Sequence, residues 1–176
     1  SIMKRGLTGL KSTGLLNVAV WVGTGIALAS VSHTEREIVG NGDFDGDGRQ
    51  DAVLLDKASG KYRIGYQEVD GSILWINHRK SAVEGVTGMA VGRFLKPGED
   101  ALVVSAADAN EVSLLAPGTR GVPGEPESLF VDVLGPNVCV GIDIGGDGNS
   151  ELDDLFLTSI YNDPKPNRTT LLRNND

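Results

Sequence analysis

The stretch Gly42-Asp43-Phe44-Asp45-Gly46-Asp47-Gly48-Arg49-Gln50-Asp51, with the apolar run Ala52-Val53-Leu54-Leu55 behind it, decides how this chain reads. Counting Asp43 as position 1, carboxylates stand at positions 1, 3, 5 and 9 and a glycine at position 6. Oxygen ligands so spaced, joined by the backbone carbonyl of Arg49, can wrap a hard cation, and Gly48 permits the sharp turn that wrapping requires. Calcium is the expected occupant. Magnesium prefers an octahedral shell with several waters, and zinc prefers His or Cys, which this chain carries only as His33, His78 and Cys139. An EF-hand is excluded, because its position 12 needs Glu and Leu54 stands there inside an apolar run. The competing reading is a solvated Asp/Gly turn. Mutual repulsion of Asp43, Asp45, Asp47 and Asp51 in an empty loop weighs against it.

The residues around the loop recur. Ile38-Val39-Gly40-Asn41-Gly42 is echoed by Met89-Ala90-Val91-Gly92 and by Val138-Cys139-Val140-Gly141, and aligning Gly42, Gly92 and Gly141 gives steps of 50 and 49 residues. Each echo precedes an apolar run: Ala52-Val53-Leu54-Leu55, Ala101-Leu102-Val103-Val104 and Leu155-Phe156-Leu157. A second element repeats as Val18-Ala19-Val20-Trp21, Tyr62-Arg63-Ile64-Gly65-Tyr66 and Val112-Ser113-Leu114-Leu115. With no sustained 3.6-residue period, the spacing predicts an all-β fold of β-propeller blades of about 50 residues. The units are 1–36 (a partial first blade), 37–88 (with the intact loop), 89–137 (with a degenerate loop) and 138–176 (partial, with a weaker loop). In the first whole unit strands are expected at 37–44, 51–56, 62–69 and 73–77, with Asp70-Gly71 as a two-residue hairpin turn at positive φ. Three to four blades leave the ring incomplete, so a larger polypeptide or a neighbouring chain is expected to complete it.

Gly42 through Gly48 with Asp51 and its apolar run resembles the FG-GAP/VCBS repeat of integrin-like β-propellers, over a span from about residue 12 to the end. The resemblance implies a propeller whose loops hold Ca²⁺ between two strands of a blade, here through Asp43, Asp45, Asp47, Asp51 and the Arg49 carbonyl. The second loop, from Gly92 to Asp100, departs from the pattern: it reads as one residue shorter, keeps only its last acid in register, and carries Arg93 and Lys96. No calcium is expected there. The third retains Asp143, Asp147, Asn149 and Glu151, lacks an acid at position 3 and runs about three residues longer, which makes it a weaker site.

Composition sets the remaining bounds. The 176 residues are 40% hydrophobic with 24 glycines, enough apolar side chains for a core and enough turn formers for many short strands. A formal charge of −8 argues against nucleic acid as a partner. Cys139, the one cysteine, stands in an apolar run and reads as a buried structural thiol. Residues 3–29 have the outline of a secretory signal peptide, but Gly23-Thr24-Gly25 interrupts them and they align with the repeats, so strands are expected; no membrane span is expected. His33 and His78 have no nucleophile pattern beside them, so no enzyme is expected. Trp21, Trp75, Tyr62, Tyr66 and Tyr161 suit either packing between blades or stacking on a sugar, and Asn167-Arg168-Thr169 is a glycosylation sequon. The expected function is a calcium-stabilised recognition module, extracellular, periplasmic or at the cell surface, binding a protein or glycan. The alternatives are a structural subunit completed by neighbouring chains and, third, the propeller domain of a secreted hydrolase or lyase.

Overall fold

The computed structural model describes residues 30–107, 109–116, 118, 120, 124–133, 135–142, 151–159 and 169–172. Among them every regular element is a strand. β1 (Ser30–His33), β2 (Glu37–Gly42), β3 (Asp51–Asp56), β4 (Lys61–Gln67) and β5 (Ile73–Trp75) follow one another across a first sheet, with β6 (Arg79–Lys80) also paired to β4. β7 (Val86–Lys96), β8 (Glu99–Ala106), β9 (Glu111–Leu115) and β10 (Glu127–Phe130) make a second sheet. β11 (Val138–Ile142), β12 (Asp154–Thr158) and β13 (Thr169–Leu172) make a third. All are antiparallel meanders, and none closes on itself.

Alternation explains how the sheets stack. β3 buries every second residue, as a strand with one covered face does, whereas the last six residues of β8 are all buried. The second sheet is covered on both sides. Met89, Val91, Leu102, Val104 and Leu115 turn to the first sheet and pack with Ile38, Phe44, Val53, Ile64 and Tyr66. Their neighbours Ala90, Ala101, Val103, Val112 and Leu114 turn the other way and pack with Cys139, Leu155 and Leu157 of the third.

The recurrent glycines lie where the sheets meet. A Cβ on Gly42 would stand 2.7 Å from Val91 Cγ1 and 2.7 Å from Asp100 Oδ2, and one on Gly141 would stand 3.0 Å from the Val91 carbonyl oxygen. Beside each of the first two glycines the backbone makes the same reciprocal contact. Asp43 N–H donates to Asp100 Oδ2 (2.7 Å) while Asp100 N–H donates to the Asp43 carbonyl (2.8 Å). One sheet on, Arg93 N–H donates to Asp153 Oδ2 (2.8 Å) and Asp153 N–H to the Arg93 carbonyl (2.9 Å).

Several expectations need correcting. β1 lies in the 1–36 unit but pairs with β2, so the first sheet begins before residue 37. The strands expected at 37–44, 62–69 and 73–77 are 37–42, 61–67 and 73–75, while that at 51–56 is as expected. At the Asp70-Gly71 turn only Gly71 has positive φ (82°). The turn is closed by Gly71 N–H to the Glu68 carbonyl (2.9 Å), with an outer bond from Glu68 N–H to Ser72 (2.8 Å), giving a longer loop than two residues. The second metal-type loop is not shorter: Gly92 pairs with Ala101 as Gly42 pairs with Asp51, nine residues apart in both. It continues as a hairpin to Lys96 and Glu99, turned at Pro97-Gly98 with Gly98 at φ 77°. In the third loop, counting Asp143 as position 1, β12 opens at position 12, three residues later than β3 does in the first, as expected, and Gly141 pairs with Leu155. The sequon's Asn167, together with residues 1–29, Trp21 and Tyr161, lies outside the described residues.

Placing a methyl group on Gly42 pushes Val91 and Asp100 away together. Gly42→Ala is expected to lower unfolding free energy by about 1–3 kcal/mol in a urea titration; a loss below about 0.5 kcal/mol contradicts the close approach of the sheets.

Candidate metal centre

The loop joining β2 to β3 is held in shape by its own aspartates. Asp43 Oδ1 accepts Asp47 N–H (3.0 Å) and Oδ2 accepts Gly48 N–H (2.8 Å). Asp45 Oδ1 accepts the same Asp47 N–H at 3.3 Å, and Asp47 Oδ1 accepts Arg49 N–H at 2.9 Å. Gly46 and Gly48 supply φ values of 72° and 84°, which side-chain-bearing residues rarely adopt. Phe44 points down into the core, fully buried, and anchors the loop from below.

Asp51 opens β3 and is 1% exposed. Its two oxygens accept Phe44 N–H (3.0 Å) and Gln67 N–H (2.8 Å), tying the loop to β4. One carboxylate oxygen from each of Asp43, Asp45 and Asp51 lies within 4.8 Å of the others. Burial raises the Asp51 carboxyl to about 7 against the opposing pull of its two backbone donors, and the charges of Asp45 and Asp47 add to the rise. Asp43 is raised too, again chiefly by burial.

The other expected ligands are disposed differently. The Asp47 carboxylate turns to the guanidinium groups of Arg49 and Arg120. Arg49 Nε donates to the Gln67 carbonyl at 2.7 Å, which fixes the residue whose own carbonyl is the expected metal ligand. Asp143, Asp147 and Asn149 of the third loop lie outside the described residues, and Glu151 is exposed. In the second sheet Ala101 occupies the place of Asp51, while Lys96 Nζ pairs with Glu99 at 2.6 Å.

Two residues beside the cluster were not expected there: Tyr66 was read as packing between blades or stacking on a sugar, and Arg120 was not singled out. The Tyr66 hydroxyl is buried with no hydrogen-bond partner, and burial, with the charges of Asp51 and Asp45, pushes it to about 12. Arg120, in the connection after β9, pairs with Asp45, Asp47 and Glu68. A Tyr two residues along an alternating strand from a paired position could have been placed near Asp51 by register; an arginine 75 residues from its acid leaves no local signal.

The other singled-out residues fall elsewhere. Tyr62 is buried in the core with Tyr66, and Trp75 is part exposed with the Arg63 guanidinium 4.6 Å from its ring centroid. His33 and His78 are exposed and separate from the cluster. Cys139 is buried, and burial raises its thiol to about 11. No described helix is long and apolar enough to cross a membrane. Comparison with known proteins gave no match, whether to a family model, a curated protein or a solved structure.

The raised carboxyls fix a sign. A group whose folded pKa lies above its unfolded value holds its proton more tightly in the native state, so its stability contribution falls as pH rises from about 4 towards about 7. In chelator, the melting temperature is expected to decline across that window, and Asp51→Asn to flatten the decline. An unchanged slope in the variant means Asp51 does not carry the effect.

Proposed function

We propose that this chain is a module of stacked, calcium-stabilised β-sheets, of the integrin-like propeller type its repeats resemble, that serves extracellular or cell-surface recognition of a protein or glycan. The observation that carries the proposal is the convergence of Asp43, Asp45 and Asp51 on one point within 4.8 Å. Three carboxylates that close repel one another, and a hard divalent cation is the species whose binding turns the repulsion into attraction.

The donor set fits calcium. All candidate ligands are oxygens, and the neighbouring Tyr66 hydroxyl, buried without a partner, suits a hydrated ion rather than a thiolate- or imidazole-bound metal. Asp43, Asp45 and Asp51 would hold the ion, with Asp47 and the Arg49 carbonyl as the remaining donors. Bound calcium would neutralise the loop and fasten β2 to β3; the chain's own part is the buried Asp51, which links that loop to β4 through Gln67. Because extracellular modules work with sites of millimolar to submillimolar affinity, even a weak site of this kind fills outside the cell. No catalytic role is assigned to these residues.

Calcium at about 100 times its dissociation constant is expected to stabilise the protein by about 2.7 kcal/mol, seen as a rise in melting temperature over a chelator control. Asp45→Ala is expected to remove most of the rise. If chelation and Asp45→Ala both leave the melting temperature where it was, the metal reading is wrong.

A second reading, a structural subunit that stacks on a neighbouring chain, is favoured by the third sheet. Its Cys139 and Leu157 pack on the second sheet, while on its other face Val140 and Ile142 are 43% and 42% exposed beside the half-buried Phe156 and Leu171. Sedimentation separates the two readings: a concentration-dependent dimer that Val140→Lys returns to monomer supports stacking, and a monomer at all concentrations opposes it.

A further inference from the structure

Resting on the calcium reading above, we infer that Arg120 is a tethered cation that competes with the divalent ion for the carboxylates of residues 43–51, so that metal loading and the Arg120 bridge oppose one another. Arg120 follows β9 in the second sheet, and its side chain reaches the first. Nε donates to Asp45 Oδ2, Nη2 to Asp47 Oδ2 at 3.2 Å, and Nη1 to Glu68 Oε1 at 2.6 Å. The guanidinium carbon lies 5.2 Å from the centroid of the Tyr66 ring, the residue whose hydroxyl has no partner. The fork therefore holds two acids of the metal loop and one of the turn after β4, and rests on an aromatic face between them.

The direction of the effect follows from charge. Asp45 belongs both to the converging trio and to the Arg120 pair, and its side chain is only 8% exposed. A monovalent guanidinium and a divalent ion sharing one poorly hydrated carboxylate repel each other, and water screens that repulsion weakly at such a site. Without metal, Arg120 offsets the loop's negative charge and ties the second sheet to the first. With metal, the Asp45 oxygen serves the ion and the bridge weakens. Coupling is reciprocal: whatever affinity the bridge removes from the ion, the ion removes from the bridge.

Isothermal titration of Ca²⁺ into the full chain, with Arg120→Ala and Arg120→Lys beside the wild type, tests this. Arg120→Ala is expected to bind Ca²⁺ about tenfold more tightly, a size set by a network of partly exposed ion pairs. Arg120→Lys, which keeps the charge and loses the fork, is expected to gain about threefold, and serves if the alanine variant does not fold. In chelator Arg120→Ala melts below wild type, and in saturating calcium the difference closes. Wild type that binds Ca²⁺ with variants of equal or weaker affinity overturns the competition and leaves the metal reading standing. No Ca²⁺ binding by any of the three overturns both.

Discussion

Everything in this molecule depends on how closely its sheets approach. At the junction of the first two, Asp43 and Asp100 exchange hydrogen bonds, the backbone of each donating to the other residue. That contact is possible only because Gly42 presents no side chain in the gap. The same exchange, between Arg93 and Asp153 beside Gly92, joins the second sheet to the third. Polar fastening at the rim aligns the apolar faces behind it, and the second sheet is buried on both sides with the N–H groups of Asp43, Asp100, Arg93 and Asp153 paired at the junctions.

The candidate centre follows from that alignment. Asp51 is pressed into the interior because it begins a strand whose alternate residues are core, and its carboxylate is retained there by two backbone donors. Burial and hydrogen bonding pull its proton affinity in opposite directions, and burial prevails. The loop thus combines a tightly specified backbone with charges that are unfavourable when alone, a local conflict that the rest of the fold sustains.

Legibility divided along the same line. The repeat of Gly42, Gly92 and Gly141 was visible because close sheet contact demands glycine at fixed register, and residues 51–56 were placed correctly because their alternation is strict. The aspartate spacing in residues 43–51 announced a loop, and three of its acids do converge. Asp100 was misjudged. Read along the chain it looked like the last acid of a failing metal loop; the register puts Ala101 in that place and frees Asp100 to reach the previous sheet. Arg120 was invisible, since nothing local connects it to an aspartate 75 residues earlier. The three described sheets are open, and strand patterning specifies sheets more strongly than it specifies their closure into a ring.

The reciprocal aspartate contacts have one more consequence. They are made at the residues flanking each loop's root, whereas the tips differ: four aspartates and two positive-φ glycines in the first, a plain hairpin with a Lys-Glu pair in the second. Both tips nonetheless span nine residues between paired strand positions, and the third spans fourteen with its root contact intact. Such a scaffold is modular in the engineering sense. A tip can be exchanged, lengthened or recharged while the stacking that supports its neighbours stays fixed, so the chemistry of the tips can diverge from sheet to sheet without renegotiating the fold.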